Sequence, residues 1–279
     1  MSRTVCGVLG DPIAHSLSPV LHRAGYQALG LPWTYDAHRV GSGGLPDFLA
    51  GLDERWRGLS LTMPLKREAV DLVSTLTDRA RRAGAVNTLV LDDEQGGLTV
   101  HGDNTDIPGA VSAITVRTDR PLRRATVLGG GATATSVGLA LVELGVQRLD
   151  LLVRTPARAG ETVDVLRQVP GPLEVTVRLL TDPLEPGDVV VSTIPASAQT
   201  PELVQRLAAA PVLFDVVYDP WPTPLAAAAR GAVVSGLDLL VHQAAVQFTL
   251  FTGREAPLEV MRRAGEEALA ARGGVGSHA

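Results

Sequence analysis

Three side chains stand out because their types are rare in this chain. The sequence has one lysine, Lys66, beside twenty-four arginines, and two asparagines, Asn87 and Asn104. A general preference for arginine would explain the rarity of lysine by itself, and that explanation stays open. An ammonium group, however, can be tuned to exchange a proton, whereas a guanidinium keeps its own. An asparagine amide pairs a donor with an acceptor and suits a hydroxyl group. These residues are therefore candidates for proton transfer and hydroxyl recognition.

A glycine-rich segment between a predicted strand and a predicted helix is typical of dinucleotide-binding sites. The apolar run 125–128 continues into Gly129, Gly130, Gly131, Ala132, Thr133 and Ala134, which fits G-x-G-x-x-A. Gly129 permits a tight turn, Gly131 lets the backbone approach a pyrophosphate, and Ala134 allows close helix packing. The free N–H groups and the dipole at the helix start favour an anion. The alternative is a glycine-rich turn that only packs on its neighbours.

The end of the next predicted strand bears on the choice of dinucleotide. An NAD-binding fold commonly places an acid there to hold the ribose hydroxyls. This chain has Arg154, Thr155 and Arg158 instead, and Asp150 lies too early, near the strand start. Two guanidinium groups and a hydroxyl suit a 2′-phosphate, so the sequence predicts NADP. Two arginines on a solvated loop with no particular role remain the alternative.

Apolar runs predict alternating strands and helices. In the first part we expect strands at 4–9, 33–40 and 58–62, helices at 18–30 and from Leu45, and a hairpin of 87–91 and 98–101 around a turn at 92–97. Ser18 is predicted as the N-cap and Pro19 as the first helical residue. From Ala125 onward we expect strands at 125–128, 149–153, 173–179, 188–192, 212–217 and 232–234, helices at 132–144, 237–251 and 257–271, and a frayed glycine-rich tail. The pattern predicts two α/β domains, the first with a mixed sheet, and a cleft between them.

Composition excludes several classes of protein. The net charge of -5 and the pI near 5.7 argue against non-specific nucleic-acid binding. No apolar run reaches the roughly 18 residues of a membrane span, and the start does not have the pattern of a secretory signal. The single cysteine, Cys6, excludes an internal disulfide, fits a reducing cytoplasm and is predicted to be a buried structural thiol. The six histidines lack metal-ligand spacing, so no metal site is predicted.

Four polar motifs lie at the ends of predicted strands in the first part, where α/β folds build their sites. They are H-S-x-S-P at 15–19, T-x-P-x-K at 62–66, A-V-N-T at 85–88 and G-D-N-T-D at 102–106. With these motifs in this order, the chain resembles the shikimate dehydrogenase family from its first strand to the helix at 237. The resemblance implies a mixed-sheet substrate domain, 1–106 plus 237–279, and a Rossmann NADP-binding domain, 107–236. The implied reaction is the reversible reduction of 3-dehydroshikimate to shikimate, on the route to chorismate and aromatic amino acids.

The resemblance also assigns roles to individual residues. Lys66 and Asp106 match the catalytic pair, in which the lysine relays a proton and the carboxylate orients it; a helix N-cap is the structural alternative for Asp106. Ser16 and Ser18 match the hydroxyls that hold the substrate carboxylate. Matches to positions that bind the ring hydroxyls or lie near the substrate are Thr62, Asn87, Gln243 and Tyr218. Gly236 matches a backbone contact beside the nicotinamide, and Gly129, Gly130, Gly131, Ala132, Thr133, Arg154, Thr155 and Arg158 match the cofactor site.

Three positions depart from the family pattern. Ser60 replaces a common asparagine, so that a supporting contact is lost or replaced. Ala132 stands where glycine is frequent, and Val153 replaces the asparagine before the arginine of the phosphate clamp. The Val153 change removes a polar contact to the adenosine ribose or its phosphate, which leaves the strength of the NADP preference open.

Two other functions remain as alternatives. A broader quinate/shikimate dehydrogenase using NAD would carry an acid near Val153 and often a threonine for one loop serine, and the sequence shows neither. A catalytically inactive ligand sensor would lose the proton-transfer pair, which is intact. We expect a cytoplasmic enzyme with a small-molecule substrate, no nucleic-acid or membrane partner, and a monomeric or homodimeric state.

Overall fold

The structure, a computed structural model, describes residues 4–94 and 97–275. The backbone divides into two compact units. The first contains the residues up to Thr105 together with those from Leu240 onward, and the second is Asp106–Leu239. The domain boundaries expected from the sequence, after residue 106 and before residue 237, differ from these by one and three residues respectively.

The first unit is built on a mixed sheet with strand order β2-β1-β3-β5-β6-β4. Its strands are β1 (Val5–Gly10), β2 (Thr34–Arg39), β3 (Trp56–Leu61), β4 (Thr75–Leu76), β5 (Thr88–Glu94) and β6 (Gly97–Asp103). β1 runs parallel to β2 and β3, whereas β5 pairs antiparallel with β3 and β6. The predicted mixed sheet and hairpin are confirmed. The hairpin strands are longer than expected, with Glu94 paired to Gly97, and part of the predicted turn lies outside the described residues.

Helices from both ends of the sequence complete this unit. They are α1 (Ser18–Ala28), α2 (Leu45–Ala50), α3 (Leu65–Glu68), α4 (Asp78–Ala83), the part of α10 (Gly236–Thr252) from Leu240 onward, and α11 (Leu258–Val275). One core cluster contains Leu9, Leu59 and Leu89 from the sheet, with Leu45 and Leu65 from α2 and α3. α1 packs against α11. A Cβ on Gly25 of α1 would lie 2.7 Å from the Phe248 ring of α10, so glycine permits this ring to approach α1 closely.

A second buried cluster is aromatic and contains one histidine. The His22 ring stacks on Tyr35 with the centroids 4.2 Å apart and lies near Tyr26 and Phe248. Neither ring nitrogen of His22 has a hydrogen-bond partner among the described residues. Burial lowers the pKa of His22 from 6.5 to about 3, so the ring is neutral at physiological pH. Cys6 is also free and is buried as predicted, and burial raises the pKa of its thiol to about 12.

The second unit is built on a parallel sheet with strand order β12-β11-β10-β7-β8-β9. Its strands are β7 (Arg124–Leu128), β8 (Arg148–Val153), β9 (Glu174–Leu179), β10 (Val189–Ser192), β11 (Val212–Asp215) and β12 (Ala232–Val234). Its helices are α5 (Asp106–Thr115), α6 (Ala132–Glu143), α7 (Gly160–Arg167), α8 (Pro201–Leu207), α9 (Pro224–Ala228) and the start of α10. Short 3₁₀ turns occur at Ala69–Leu72 in the first unit and at Pro156–Ala159 and Ala196–Ala198 here. The strand order is that of a doubly wound dinucleotide-binding fold, as predicted.

The start of α1 differs from the sequence prediction. Leu17, not Ser18, is the N-cap, and its side chain makes no capping hydrogen bond. Ser18 is already helical, and its N–H donates to the Ser16 hydroxyl at 3.3 Å. The Ser16 hydroxyl, two residues earlier in the chain, therefore accepts a hydrogen bond from the first helical N–H, that of Ser18. At the other end of the chain, α11 continues to Val275, and the rest of the predicted frayed tail lies outside the described residues.

Candidate functional site

The T-x-P-x-K and A-V-N-T motifs are joined by backbone hydrogen bonds. Thr62 follows β3, its N–H donates to the Leu9 carbonyl at 2.9 Å, and its own carbonyl accepts from Leu65 at 2.9 Å. Lys66 lies in the single turn of α3 and is partly exposed. Its carbonyl accepts from the Val86 N–H at 2.7 Å. The two motifs, twenty residues apart in sequence, therefore lie side by side in the first unit.

Asn87 is the centre of a buried polar cluster. Its side-chain Oδ1 accepts from the Thr105 N–H at 2.7 Å and from the Thr88 hydroxyl at 2.8 Å. Its Nδ2 donates to Gln243 Oε1 at 3.3 Å. A backbone N–H can only donate, so the contact with Thr105 fixes which end of the Asn87 amide is the oxygen. The residue is 2% exposed, and its orientation is set by the protein.

Gln243 brings the last part of the chain to this cluster. It lies on α10 and is 7% exposed. Its Nε2 donates to the Leu240 carbonyl at 3.1 Å, which places Oε1 towards Asn87 and the Thr105 hydroxyl. A backbone carbonyl can only accept, so this amide is oriented as firmly as that of Asn87. Residues 87, 105 and 243 therefore form one buried cluster.

The first half of the G-D-N-T-D motif is structural. Asp103 is 4% exposed and pairs with Arg79, with Nη2 to Oδ2 at 2.5 Å, and it accepts from the Thr77 hydroxyl at 2.7 Å. Burial by itself would raise the pKa of Asp103, but the Arg79 and Thr77 contacts outweigh it and lower the pKa below its ordinary value. Asn104 donates to the Ala85 carbonyl at 2.9 Å. One of the two rare asparagines thus holds a loop in place.

The second aspartate of that motif has a different position. Asp106 is the first residue of α5, 5% exposed, and it begins the second unit, whereas Lys66 belongs to the first. Ser16 is half-buried in the loop before α1, and Ser18 in the first turn is 4% exposed. The Ser16 hydroxyl accepts from the Ser18 N–H, so the two serines of the first motif are adjacent.

The glycine loop of the second unit has the geometry expected of it. Gly129 has φ +104°, a conformation that favours glycine, and a Cβ there would lie 2.3 Å from the Thr193 hydroxyl. A Cβ on Gly130 would lie 2.7 Å from the Ala159 side chain. A Cβ on Gly131, the N-cap of α6, would have no described atom within 4 Å apart from the glycine itself and its two chain neighbours. The space beside the Gly131 backbone is therefore open. Ala132 and Thr133 are the first helical residues.

Two buried threonines hold this loop, and no sequence motif points to them. The Thr162 hydroxyl on α7 donates to the Gly130 carbonyl at 2.9 Å and lies 2.7 Å from the Thr135 hydroxyl. Thr135 in turn reaches the Gly131 carbonyl at 3.3 Å. The loop carbonyls are thus bonded inside the unit.

The residues that follow β8 are mostly exposed. Arg154, Thr155 and Arg158 are exposed, while Val153 is 5% exposed and packs near Gly130. Asp150 does not reach this end of the strand, because it pairs with Arg124 at 3.0 Å and Arg178 at 2.9 Å. These arginine contacts give Asp150 a structural role.

The loop after β11 rests on a buried carboxylate that the sequence analysis missed. Asp215 is fully buried and accepts from the Val217 N–H at 3.1 Å and from the Thr223 hydroxyl at 2.7 Å. Burial raises the pKa of Asp215 above its usual value. The loop carries Tyr218, which is partly exposed. A Cβ on Gly236 would lie 2.3 Å from the Val216 carbonyl, so only glycine fits beside this loop.

Metal-ion sites and membrane-spanning helices are both absent from the described residues. Among the residues that the structure describes, no group of three or more His, Cys, Asp or Glu side chains is arranged to hold a metal ion. Within the same part of the chain, no helix combines the length and apolar character that crossing a membrane requires.

Comparison with known proteins connects these features. Residues 8–89 match the family model of the shikimate dehydrogenase substrate binding domain, and residues 236–264 match that of the shikimate 5'-dehydrogenase C-terminal domain. A shikimate dehydrogenase (NADP(+)) of Moorella thermoacetica is 36% identical over 98% of this chain and 96% of its own length.

Solved structures agree along nearly the whole chain. Mycobacterium tuberculosis shikimate dehydrogenase superposes with a TM-score of 0.83 at 41% identity and covers 95% of this chain and 99% of its own. Quinate dehydrogenase from Corynebacterium glutamicum, in complex with NAD, gives a TM-score of 0.85 at 29% identity, with 95% and 99% covered.

Proposed function

Because this chain belongs to the shikimate dehydrogenase family, we propose that it catalyses the reversible, NADP-dependent reduction of 3-dehydroshikimate to shikimate. The observation that carries this proposal is the buried cluster in which Asn87 and Gln243 are locked in defined orientations next to the Thr62–Lys66 segment. Two amides with fixed orientations close to the single lysine can hold a polyhydroxylated ring while one of its oxygens gains or loses a proton.

Lys66 and Asp106 perform the proton transfer in this proposal. The bound NADP supplies the hydride chemistry. Lys66 Nζ gives a proton to the carbonyl oxygen during reduction and takes one from the hydroxyl in the reverse direction. The Asp106 carboxylate orients Nζ and shares the proton. The uniqueness of Lys66 in an arginine-rich chain agrees with this role, because arginine would not exchange the proton.

The remaining polar residues hold the substrate. Ser16 and Ser18 bind its carboxylate with their hydroxyls, near the N-terminus of α1, where the helix dipole adds to the attraction. Thr62, Asn87 and Gln243 bind the ring hydroxyls, and Tyr218 lies near the ring. Their support is the family membership together with the burial of both amides.

The second unit binds the cofactor in this proposal. Gly129, Gly130 and Gly131, with Ala132 and Thr133, receive the pyrophosphate at the start of α6. Arg154, Thr155 and Arg158 clamp the 2′-phosphate, and the Gly236 backbone contacts the nicotinamide. We assign residues 1–106 and 237–279 to substrate binding and 107–236 to NADP binding.

A quinate dehydrogenase using NAD is the second candidate, because such an enzyme is among the similar structures. Asp150 is already paired with two arginines, and the residues after β8 are basic, which favours NADP. A ligand sensor without turnover is less well supported, since Lys66 and Asp106 are both present. We further propose that the enzyme acts in the cytoplasm, as a monomer or homodimer, without a nucleic-acid or membrane partner.

A steady-state assay with shikimate or quinate, each against NADP or NAD, tests these readings. Strong turnover with shikimate and NADP alone supports the proposal. Comparable turnover with quinate or NAD would replace it by the broader enzyme. Absence of turnover in all four combinations, with shikimate binding retained in calorimetry, would favour the sensor.

A further inference from the structure

We propose that Gln247 and Thr88 are positioning residues that fix the Asn87 amide for the substrate. This inference rests on the proposed function, because it assumes that Asn87 binds a ring hydroxyl. Thr88 closes the A-V-N-T motif, but the sequence assigned no role to either residue. Both lie beneath Asn87 in the first unit, and both are buried, at 1% and 0% exposure.

The two residues contact Asn87 from both its backbone and its side chain. Gln247 Nε2 donates to the Asn87 carbonyl at 3.1 Å and to the Thr88 hydroxyl at 2.9 Å. The Thr88 hydroxyl donates to Asn87 Oδ1 at 2.8 Å. A hydroxyl has a single proton, so accepting from Gln247 leaves the Thr88 proton available for Asn87. The contacts therefore run in one direction, from Gln247 through Thr88 to the Asn87 amide.

Two hydroxyl groups continue the hydrogen-bond chain on the other side of Gln247. The Tyr35 hydroxyl donates to Ser60 Oγ at 2.5 Å, and Ser60 Oγ donates to Gln247 Oε1 at 2.8 Å. The Asn87 carbonyl can only accept, so it identifies Nε2 of the Gln247 amide, and Oε1 then faces the Ser60 hydroxyl. Ser60 is the residue that departs from the family asparagine, and its hydroxyl bonds both Tyr35 and Gln247.

These contacts fix the orientation of the Asn87 side-chain amide, in addition to stabilising the fold around it. A second conformation of Asn87, with the amide turned over, would set Nδ2 against the Thr105 N–H and the Thr88 hydroxyl proton. In a buried site such a mismatch is costly, because water cannot replace the lost contacts. Removing the Thr88 proton weakens the preference for one orientation and so reduces the fraction of protein that is ready to bind substrate.

A matched pair of variants at Thr88 separates positioning from packing. Thr88→Val keeps the volume and loses the hydroxyl, whereas Thr88→Ser keeps the hydroxyl and loses a methyl group. We expect Thr88→Val to raise KM and the calorimetric Kd for shikimate about ten-fold, with KM for NADP unchanged. Thr88→Ser should stay within about two-fold of wild type. The opposite order would indicate packing alone and overturn the proposal, as would equal effects on shikimate and NADP.

A double-mutant cycle tests whether Gln247 acts through Asn87. Gln247→Met should raise the Kd for shikimate in the wild-type background and have almost no further effect in Asn87→Ala. Additive effects would refute coupling between the two residues, and if Gln247→Met does not fold, the Thr88 pair decides. Failure of the proposed function gives another result, because Asn87→Ala alone would then leave shikimate binding unchanged.

Discussion

His22 should make the stability of the first unit fall as the pH drops from 7 to 5. The ring is buried without a hydrogen-bond partner among the described residues, and burial lowers its pKa from 6.5 to about 3. A base with a depressed pKa in the folded state contributes stability that is present above its unfolded pKa. That contribution is lost as the pH falls below 6.5 towards the folded value, because the unfolded chain takes up the proton first.

The size of the effect follows from the two pKa values. At pH 7 neither state carries much charge on His22. At pH 5 the unfolded side chain is almost fully protonated and the folded one is not. Because pH 5 lies about 1.5 pH units below the unfolded pKa, the unfolding free energy falls by about 2 kcal/mol. The figure does not depend on the exact folded pKa, provided that it lies well below 5.

The comparison requires a variant with a ring that cannot be protonated. His22→Phe keeps a ring near Tyr35, whose centroid lies 4.2 Å from that of His22. Urea unfolding is followed by tryptophan fluorescence at pH 7 and pH 5. Trp33 and Trp56 lie in the first unit, and Trp221 of the second unit is replaced by Phe in both proteins. We expect the wild type to lose about 2 kcal/mol more than the variant between these two conditions. Equal losses in both proteins would show that His22 is protonated in the folded state and would refute the reasoning.

Three further perturbations test other parts of the structure. Lys66→Ala should lower kcat by about a hundred-fold or more while the KM for shikimate changes little, since a transition-state contact is removed; comparable losses in both constants would count against a proton relay. Arg154→Ala should raise the KM for NADPH by about ten-fold and leave that for NADH nearly unchanged; equal changes would contradict the phosphate clamp. Asp103 has a lowered pKa, so its stabilising contribution is present above pH 3.8 and is lost as the pH falls through the folded value. The melting temperature should therefore fall more steeply between pH 5 and pH 3 in the wild type than in Asp103→Asn. Parallel curves would show that the ion pair of Asp103 with Arg79 contributes nothing to stability.

Strands buried in the parallel sheet were the easiest elements to predict. All residues of β10, Val189–Ser192, are buried, and such strands read as continuous apolar runs. Short polar helices were missed, among them α4, Asp78–Ala83, which carries three arginines. Its signals were nevertheless present, because the Thr77 hydroxyl caps it by accepting from the Ala80 N–H and Gly84 ends it with φ +55°. Tertiary contacts, not an apolar stripe, stabilise helices of this length.

The candidate site was predictable only as far as its motifs reach. Lys66, Asn87 and Asp106 follow from rare residue types and from the family resemblance. The residues that orient Asn87 do not, because Gln247 is 160 positions away in sequence and its contacts exist only after folding. Nothing in the residue types separated Asp103, which is held by Arg79, from Asp106 three positions later.

The discontinuous first unit has a consequence for the order of events during synthesis. Asp106–Leu239 is contiguous, so it can acquire its whole sheet as soon as it leaves the ribosome. The segment before it must wait, because α1 packs against α11 and Asn87 receives its contacts from Gln247 only after the last forty residues have been made. Until then the N-terminal sheet carries an uncovered apolar surface and an incomplete polar cluster. The segment before Asp106 is therefore translated before the second unit but completed after it.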